Sequence, residues 1–139
     1  MSNNLTEEEL SLLKEAGYTK KAIEIYLSRV NVGLIENPDV AIAYKGPCGD
    51  MIKLFLKIGD DLIDEAKFQY LGCPASAVCG SMLTQMIKGK TLLDAKKITK
   101  DDLLRELGSI PDEECHCAQL AITALKKTIL RYEKNNERA

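Results

Sequence analysis

Two hydrophobic periods run along this chain, and the changes between them mark its elements. The first segment has helical spacing. Thr6 and Glu9 stand at capping-box separation, Leu5 and Leu10 can form a hydrophobic staple, and Gly17 supplies a stop, so a helix is expected over residues 5–17. A second helix is expected after Thr19, with Ala22, Ile23, Tyr26, Leu27 and Val30 on its apolar side. Asn37-Pro38 then breaks the chain.

The period next falls to two. Val40, Ile42 and Tyr44 alternate with other positions, and Gly46-Pro47-Cys48-Gly49 reads as a turn. Ile52, Leu54, Leu56 and Ile58 then alternate with Met51, Lys53, Phe55 and Lys57, which gives one strand a clean apolar face. Gly59-Asp60-Asp61 is a hairpin turn, and Ala66, Phe68 and Tyr70 continue a third strand. The pattern predicts a three-stranded antiparallel meander.

Helical spacing returns with Ala75, Val78, Cys79, Met82 and Met86, and Gly89 ends that run. Thr99 opens a short helix through Leu107, closed by Gly108. Pro111 fits the first turn of a last helix, whose stripe is Ala121, Ala124, Leu125, Thr128, Ile129 and Tyr132. The expected class is α+β: a three-stranded antiparallel sheet with helices packed on one face, plus an extra N-terminal helix. No linker or repeat divides the 139 residues, so a single domain over residues 1–139 is expected.

Composition narrows the function. Apolar residues make up 45% and charged residues 29%, with a net charge of −2, as in ordinary water-soluble domains. No basic face points to nucleic acid, and no apolar run approaches the ~20 residues of a membrane span. Neither a basic n-region nor an apolar h-region precedes the first helix, so a cytoplasmic protein is expected. Five cysteines without a secretory signal argue against a disulfide framework and for reduced thiols in metal or sulfur chemistry.

Three of these cysteines lie at junctions between elements. Cys48 sits in a glycine-rich turn where a side chain can project. Cys73 precedes Pro74, so it is placed to cap a helix whose positive end favours thiolate. Cys117 lies near the start of the last helix. Thiolates suit zinc, copper(I) and iron–sulfur units, and His116, the single histidine, or Asp50 can add a harder fourth ligand. Asp50 reads equally as a solvated turn residue, and His116 as a surface or capping residue. Cys79 shares a helical face with Ala75, Val78, Met82 and Met86, which favours core packing. Cys115 is read as a bystander, with a substitute-ligand role left open. Spacing alone leaves open whether the three junctions converge.

Gly46-Pro47-Cys48-Gly49-Asp50, Phe68-Gln69-Tyr70-Leu71-Gly72-Cys73 and His116-Cys117 resemble the three ligand motifs of the IscU and NifU amino-terminal scaffolds. Asn31-Val32-Gly33 and Ile87-Lys88-Gly89-Lys90-Thr91 add to the resemblance, which covers most of the chain. It implies a scaffold, not an enzyme, on which a labile [2Fe-2S] cluster is assembled and then transferred. A cysteine desulfurase would supply the sulfur, other donors the iron and electrons, and recipient apo-proteins or carriers would take the product. It also implies the site: Cys48, Cys73 and Cys117 as cluster cysteines, His116 and Asp50 as auxiliary ligands, Asp50 as the residue that keeps the cluster labile, and Cys117 as persulfide acceptor. Zinc or iron would fit the cluster-free form.

Three departures are visible. Asp112, Glu113 and Glu114 follow Ile110-Pro111 where many members carry Leu-Pro-Pro-Val-Lys, the segment read by a dedicated Hsp70 chaperone. Cys79 and Cys115 are extra. The N-terminal helix is long, and either packing on the core or homodimer contacts would account for it. Two other functions compete. In a zinc-dependent sulfur acceptor of the SufU kind, an insertion separates the second and third cysteines. Here those cysteines are 44 positions apart with ordinary helical pattern between them, which favours the scaffold. A structural zinc site would show paired Cys-x-x-Cys ligands, and this sequence has none.

Overall fold

The expected capping box is formed at the start of the first helix, α1 (Glu7–Ala16). The Thr6 side chain accepts the Glu9 N–H, and the Glu9 carboxylate accepts the Thr6 N–H at 2.9 Å. This computed structural model describes residues 6–47, 49–108, 110–111 and 116–137, so the staple partner Leu5 lies outside the described residues. Gly17, at φ 109°, ends the helix in the left-handed conformation. No residue of α1 is buried, but Leu10 and Leu13 pack half-buried against the core.

Thr19 caps α2 (Lys20–Ser28) by accepting the Ala22 N–H, and its hydroxyl donates to the Leu107 carbonyl at 2.9 Å. Ala22 and Ile23 are buried as expected. Val30 is not on this helix's apolar side: α2 stops at Arg29, which has positive φ, and Val30 lies beyond it, exposed.

Strands β1 (Val40–Lys45), β2 (Met51–Gly59) and β3 (Leu62–Leu71) form an antiparallel sheet in the order β1-β2-β3. The register pairs Ile42 with Leu54 and Leu54 with Phe68, and Tyr44 with Ile52 and Ile52 with Tyr70. Opposed residues share a face, so the alternating apolar positions line one side of the sheet. The β2–β3 turn places Asp60 and Asp61 at φ 54° and 63°, the two positive values that a tight two-residue hairpin needs. A register shift between Lys57 and Ile58 leaves Asp64 unpaired. That bulge turns Ile63 into the core, out of phase with Ala66 and Phe68.

The outer edge of β3 is covered at both ends. Asn31-Val32-Gly33 bonds the Phe68 backbone, with Phe68 N–H donating to the Asn31 carbonyl and Gly33 N–H to the Phe68 carbonyl. Gly89 and Lys90 bond both backbone groups of Ile63, and Thr91 forms a bridge to Leu62. These two secondary motifs thus close a strand edge.

Helix α3 (Pro74–Ile87) runs through the centre, against β3 on one side and α2, α5 and the last helix on others. Most of it is buried, Cys79 included. A Cβ on Gly80 would meet the Phe68 ring at 2.4 Å, so glycine lets that fully buried ring lie on the helix backbone. The short α4 (Leu92–Lys96), capped by Thr91, had no separate signal in the hydrophobic pattern. Thr99 and Asp102 form a second capping box on α5 (Lys100–Leu107).

The last helix, α6 (His116–Glu137), lies across β1 and β2. Its stripe of Ala121, Ala124, Leu125, Thr128 and Ile129 is fully buried. Pro111 is not in its first turn; it is buried ahead of the helix, and its atoms lie where a Cβ on Gly17 would approach. No helix among the described residues is long and apolar enough to cross a membrane.

Candidate metal centre

The three junctions converge at one end of the sheet. The β1–β2 loop is pinned by hydrogen bonds from Gly46 N–H to the Asp50 carbonyl and from Gly49 N–H to the Gly46 carbonyl, and it presents Asp50. Cys48 belongs to this loop by chain position but lies outside the described residues, as does Cys115. Cys73 is the N-cap of α3 with Pro74 in the first turn, so its thiol stands at the positive end of the helix. His116 and Cys117 open α6.

Their ligand atoms are close together. Cys73 Sγ lies 3.6 Å from Cys117 Sγ and 3.7 Å from Asp50 Oδ2. Cys117 Sγ lies 3.5 Å from Asp50 Oδ2 and 3.6 Å from His116 Nε2. His116 Nε2 is 3.9 Å from Asp50 Oδ2. A tetrahedral zinc ion with ordinary bonds to sulfur, nitrogen and oxygen holds its ligand atoms about 3.3–3.8 Å apart. The Asp50, His116 and Cys117 atoms form one compact ligand set, and Cys73 adjoins it through Asp50 and Cys117. Two thiols, an imidazole and a carboxylate also suit an iron–sulfur unit, with the carboxylate as the hardest donor. The spacing of the residues present therefore fits a single metal ion, and their chemistry suits an iron–sulfur unit.

The centre is buried below and open above. Cys117 is fully buried, Cys73 and Asp50 are half-buried, and His116 is exposed. A cleft of about 240 Å³, lined by Tyr44, Pro47, Asp50, His116, Gln119 and Leu120 among others, opens beside the imidazole. The hydrogen bond with Cys73, and then burial, push the Cys117 thiol well above the usual thiol range, while the Ser76 hydroxyl pulls it the other way. Without metal, Cys117 holds its proton at neutral pH. None of Cys73, Cys79 and Cys117 forms a disulfide.

Two residues that the sequence reading passed over complete the geometry. Ser76, fully buried, donates its hydroxyl to Asp50 Oδ2 at 2.9 Å, and its Oγ is 3.5 Å from Cys117 Sγ. Its signal was present: it follows Cys73 by three positions on a helix, which puts the two on one side. Gly72 is the second. A Cβ there would meet Asp50 Cγ at 2.8 Å and Ser76 Oγ at 2.9 Å, so only glycine leaves room for the carboxylate beside Cys73.

The chain has known relatives. The family model described as the NifU-like N terminal domain matches residues 17–139, beginning directly after α1. An iron–sulfur cluster assembly scaffold protein IscU of Archaeoglobus fulgidus is 38% identical over 120 residues, covering 86% of this chain and 78% of that protein. The Escherichia coli protein of the same name is 35% identical over 125 residues, covering 86% of this chain and 97% of its own. Among solved structures, a NifU-like N-terminal protein from Brucella abortus superposes with a TM-score of 0.72 at 15% identity, over 88% of this chain and 98% of that one. A SUF-system scaffold protein from Fervidobacterium islandicum gives 0.66 at 22% identity, over 81% and 96%. Those two likenesses concern the fold, and the identities above concern the sequence. The family match and the sequence identities show the family: the chain belongs to the NifU-like N-terminal domain family.

Proposed function

We propose that this protein is a scaffold, not an enzyme, on which a labile [2Fe-2S] cluster is assembled as cargo and then passed to recipient proteins. The observation that carries this reading is the meeting of Asp50, Cys73, His116 and Cys117, from three separate segments, at one half-open place. Cys73 and Cys117 are the thiolate ligands present there, with Cys48 as the third cysteine on sequence grounds. His116 and Asp50 are the auxiliary ligands. Zinc or iron would take the same site in the cluster-free protein, and the ligand spacing favours a single tetrahedral ion.

The supplier of sulfur in this reading is a cysteine desulfurase carrying a persulfide. Cys117 gives up its proton as its sulfur attacks the terminal sulfur of the persulfide; a new S–S bond forms at Cys117, the persulfide's own S–S bond breaks, and the desulfurase cysteine leaves as a thiolate that takes up the proton. Iron and electrons come from separate donors. Cys117 is buried beneath Asp50 and Cys73, so this transfer requires the start of α6 to open. Reduced thiols fit a cytoplasmic home. An Hsp70 that reads the usual apolar and basic peptide would dock poorly at residues 110–114. Ile110 and Pro111 are buried and the next three positions are acidic.

A transfer assay tests the reading. Cluster-loaded protein is mixed with an apo-ferredoxin, and the recipient's spectrum is followed. Asp50 supplies a hard carboxylate at an already anionic site, so it weakens the hold on the cluster. Asp50→Ala should keep its cluster longer and transfer it more slowly. Equal lifetime and rate would reduce Asp50 to a turn residue.

A further inference from the structure

Four polar side chains are buried among the described residues: Ser76, Ser81, Thr84 and Thr128. Three of them donate to backbone carbonyls. Ser81 donates to the Val30 carbonyl, Thr84 to the carbonyls of Gly80 and Ser81, and Thr128 to the Ala124 carbonyl. These bonds tie α3 to the segment that follows α2 or satisfy a hydroxyl within its own helix. Ser76 is different. Its hydroxyl donates to a side chain, the Asp50 carboxylate, at 2.9 Å.

The same Oδ2 atom lies 3.5 Å from Cys117 Sγ, 3.7 Å from Cys73 Sγ and 3.9 Å from His116 Nε2. Asp50 comes from a loop, and a loop carboxylate left to itself samples several rotamers. Ser76 stands on the first turn of a buried helix and does not share that freedom. A serine has one proton to give. Oδ2 at 2.9 Å is the nearer acceptor, and Cys117 Sγ at 3.5 Å is the farther one. Gly72 keeps the space between them clear.

We infer that Ser76 is a positioning residue: its hydroxyl holds the Asp50 carboxylate between the two thiols, in the place from which Asp50 ligates. The inference rests on the metal-site reading of Asp50 and concerns what fixes that ligand. A carboxylate has lone pairs to spare, so one hydrogen bond leaves room for a metal. Groups that orient a metal ligand in this way alter affinity by roughly 10–100-fold when removed.

Cobalt(II) titration of the metal-free protein under anaerobic conditions tests this, with the visible spectrum as readout and melting temperature as control. The proteins are wild type, Ser76→Ala, Asp50→Ala and the double variant. Alanine is a good helix former, so the first variant is expected to fold. Ser76→Ala should weaken cobalt binding by about tenfold and change the ligand-field bands. In the Asp50→Ala background the same change should have little further effect. If Asp50→Ala weakens binding while Ser76→Ala matches wild type, the inference is overturned and the site stands. An effect of equal size in both backgrounds also overturns it, since Ser76 would then act without Asp50. If wild type shows no thiolate-to-cobalt band, the site reading falls and takes the inference with it; if Asp50→Ala binds cobalt as well as wild type, the reading of Asp50 as a metal ligand falls, and the inference with it.

Discussion

Cys73 Sγ and Cys117 Sγ stand 3.6 Å apart, although 44 residues separate them in the chain. Their hydrogen bond is the first cause of the raised Cys117 pKa, and burial is the second. A metal must displace that proton before Cys117 can ligate. Acid therefore competes with metal, and affinity rises with pH through the neutral range. Zinc affinity should climb by about tenfold per pH unit for each proton displaced. Competition titrations against a chelator between about pH 6 and 8 measure this. A flat profile would mean that Cys117 is already a thiolate or is not a ligand.

Exposure orders the thiols. Cys73 is half-buried, whereas Cys79 and Cys117 are fully buried, with Cys79 in the hydrophobic core. Among these three thiols, alkylation of the metal-free native protein, read by peptide mass spectrometry, should label Cys73 first. Cys117 should follow slowly, and Cys79 should react only on unfolding. Labelling of Cys117 as fast as Cys73 would show that the start of α6 opens readily without a partner.

The meander, the capping box at Thr6, the helix start at Thr99 and the stripe of α6 were legible because period and cap chemistry are local properties. The bulge at Asp64 was not, since it is a matter of register between strands and appears only when β2 and β3 pair. The misplaced start of the last helix has a similar cause. A proline fits the first turn of a helix by its φ angle, but Pro111 lies buried ahead of α6, near Gly17, about 94 positions earlier. At the site, the candidates Asp50, Cys73, His116 and Cys117, which the structure brings together, were readable from the residues because thiols at glycine- and proline-marked junctions stand out. Ser76 and Gly72 were not singled out, since their value depends on Asp50 arriving from another segment.

Gly80 gives a test of the core. An added methyl would stand 2.4 Å from the Phe68 ring, which has no space to retreat because it is fully buried. Alanine favours helix by itself, so propensity predicts a gain where packing predicts a loss. Packing should win. Gly80→Ala should lose about 1–3 kcal/mol in urea unfolding. A stability equal to or above wild type would show that Phe68 can move.

The centre of the account is that thiols from separate junctions hold one cluster. The direct measurement is anaerobic reconstitution with iron, cysteine and a cysteine desulfurase, read by absorption and Mössbauer spectra. Wild type is compared with Cys48→Ser, Cys73→Ser, Cys117→Ser and Cys79→Ser. The account predicts [2Fe-2S] signals in wild type and in Cys79→Ser, which should show only a lower melting temperature, and sharply reduced cluster in the other three variants. Full cluster assembly in Cys73→Ser and Cys117→Ser would contradict it.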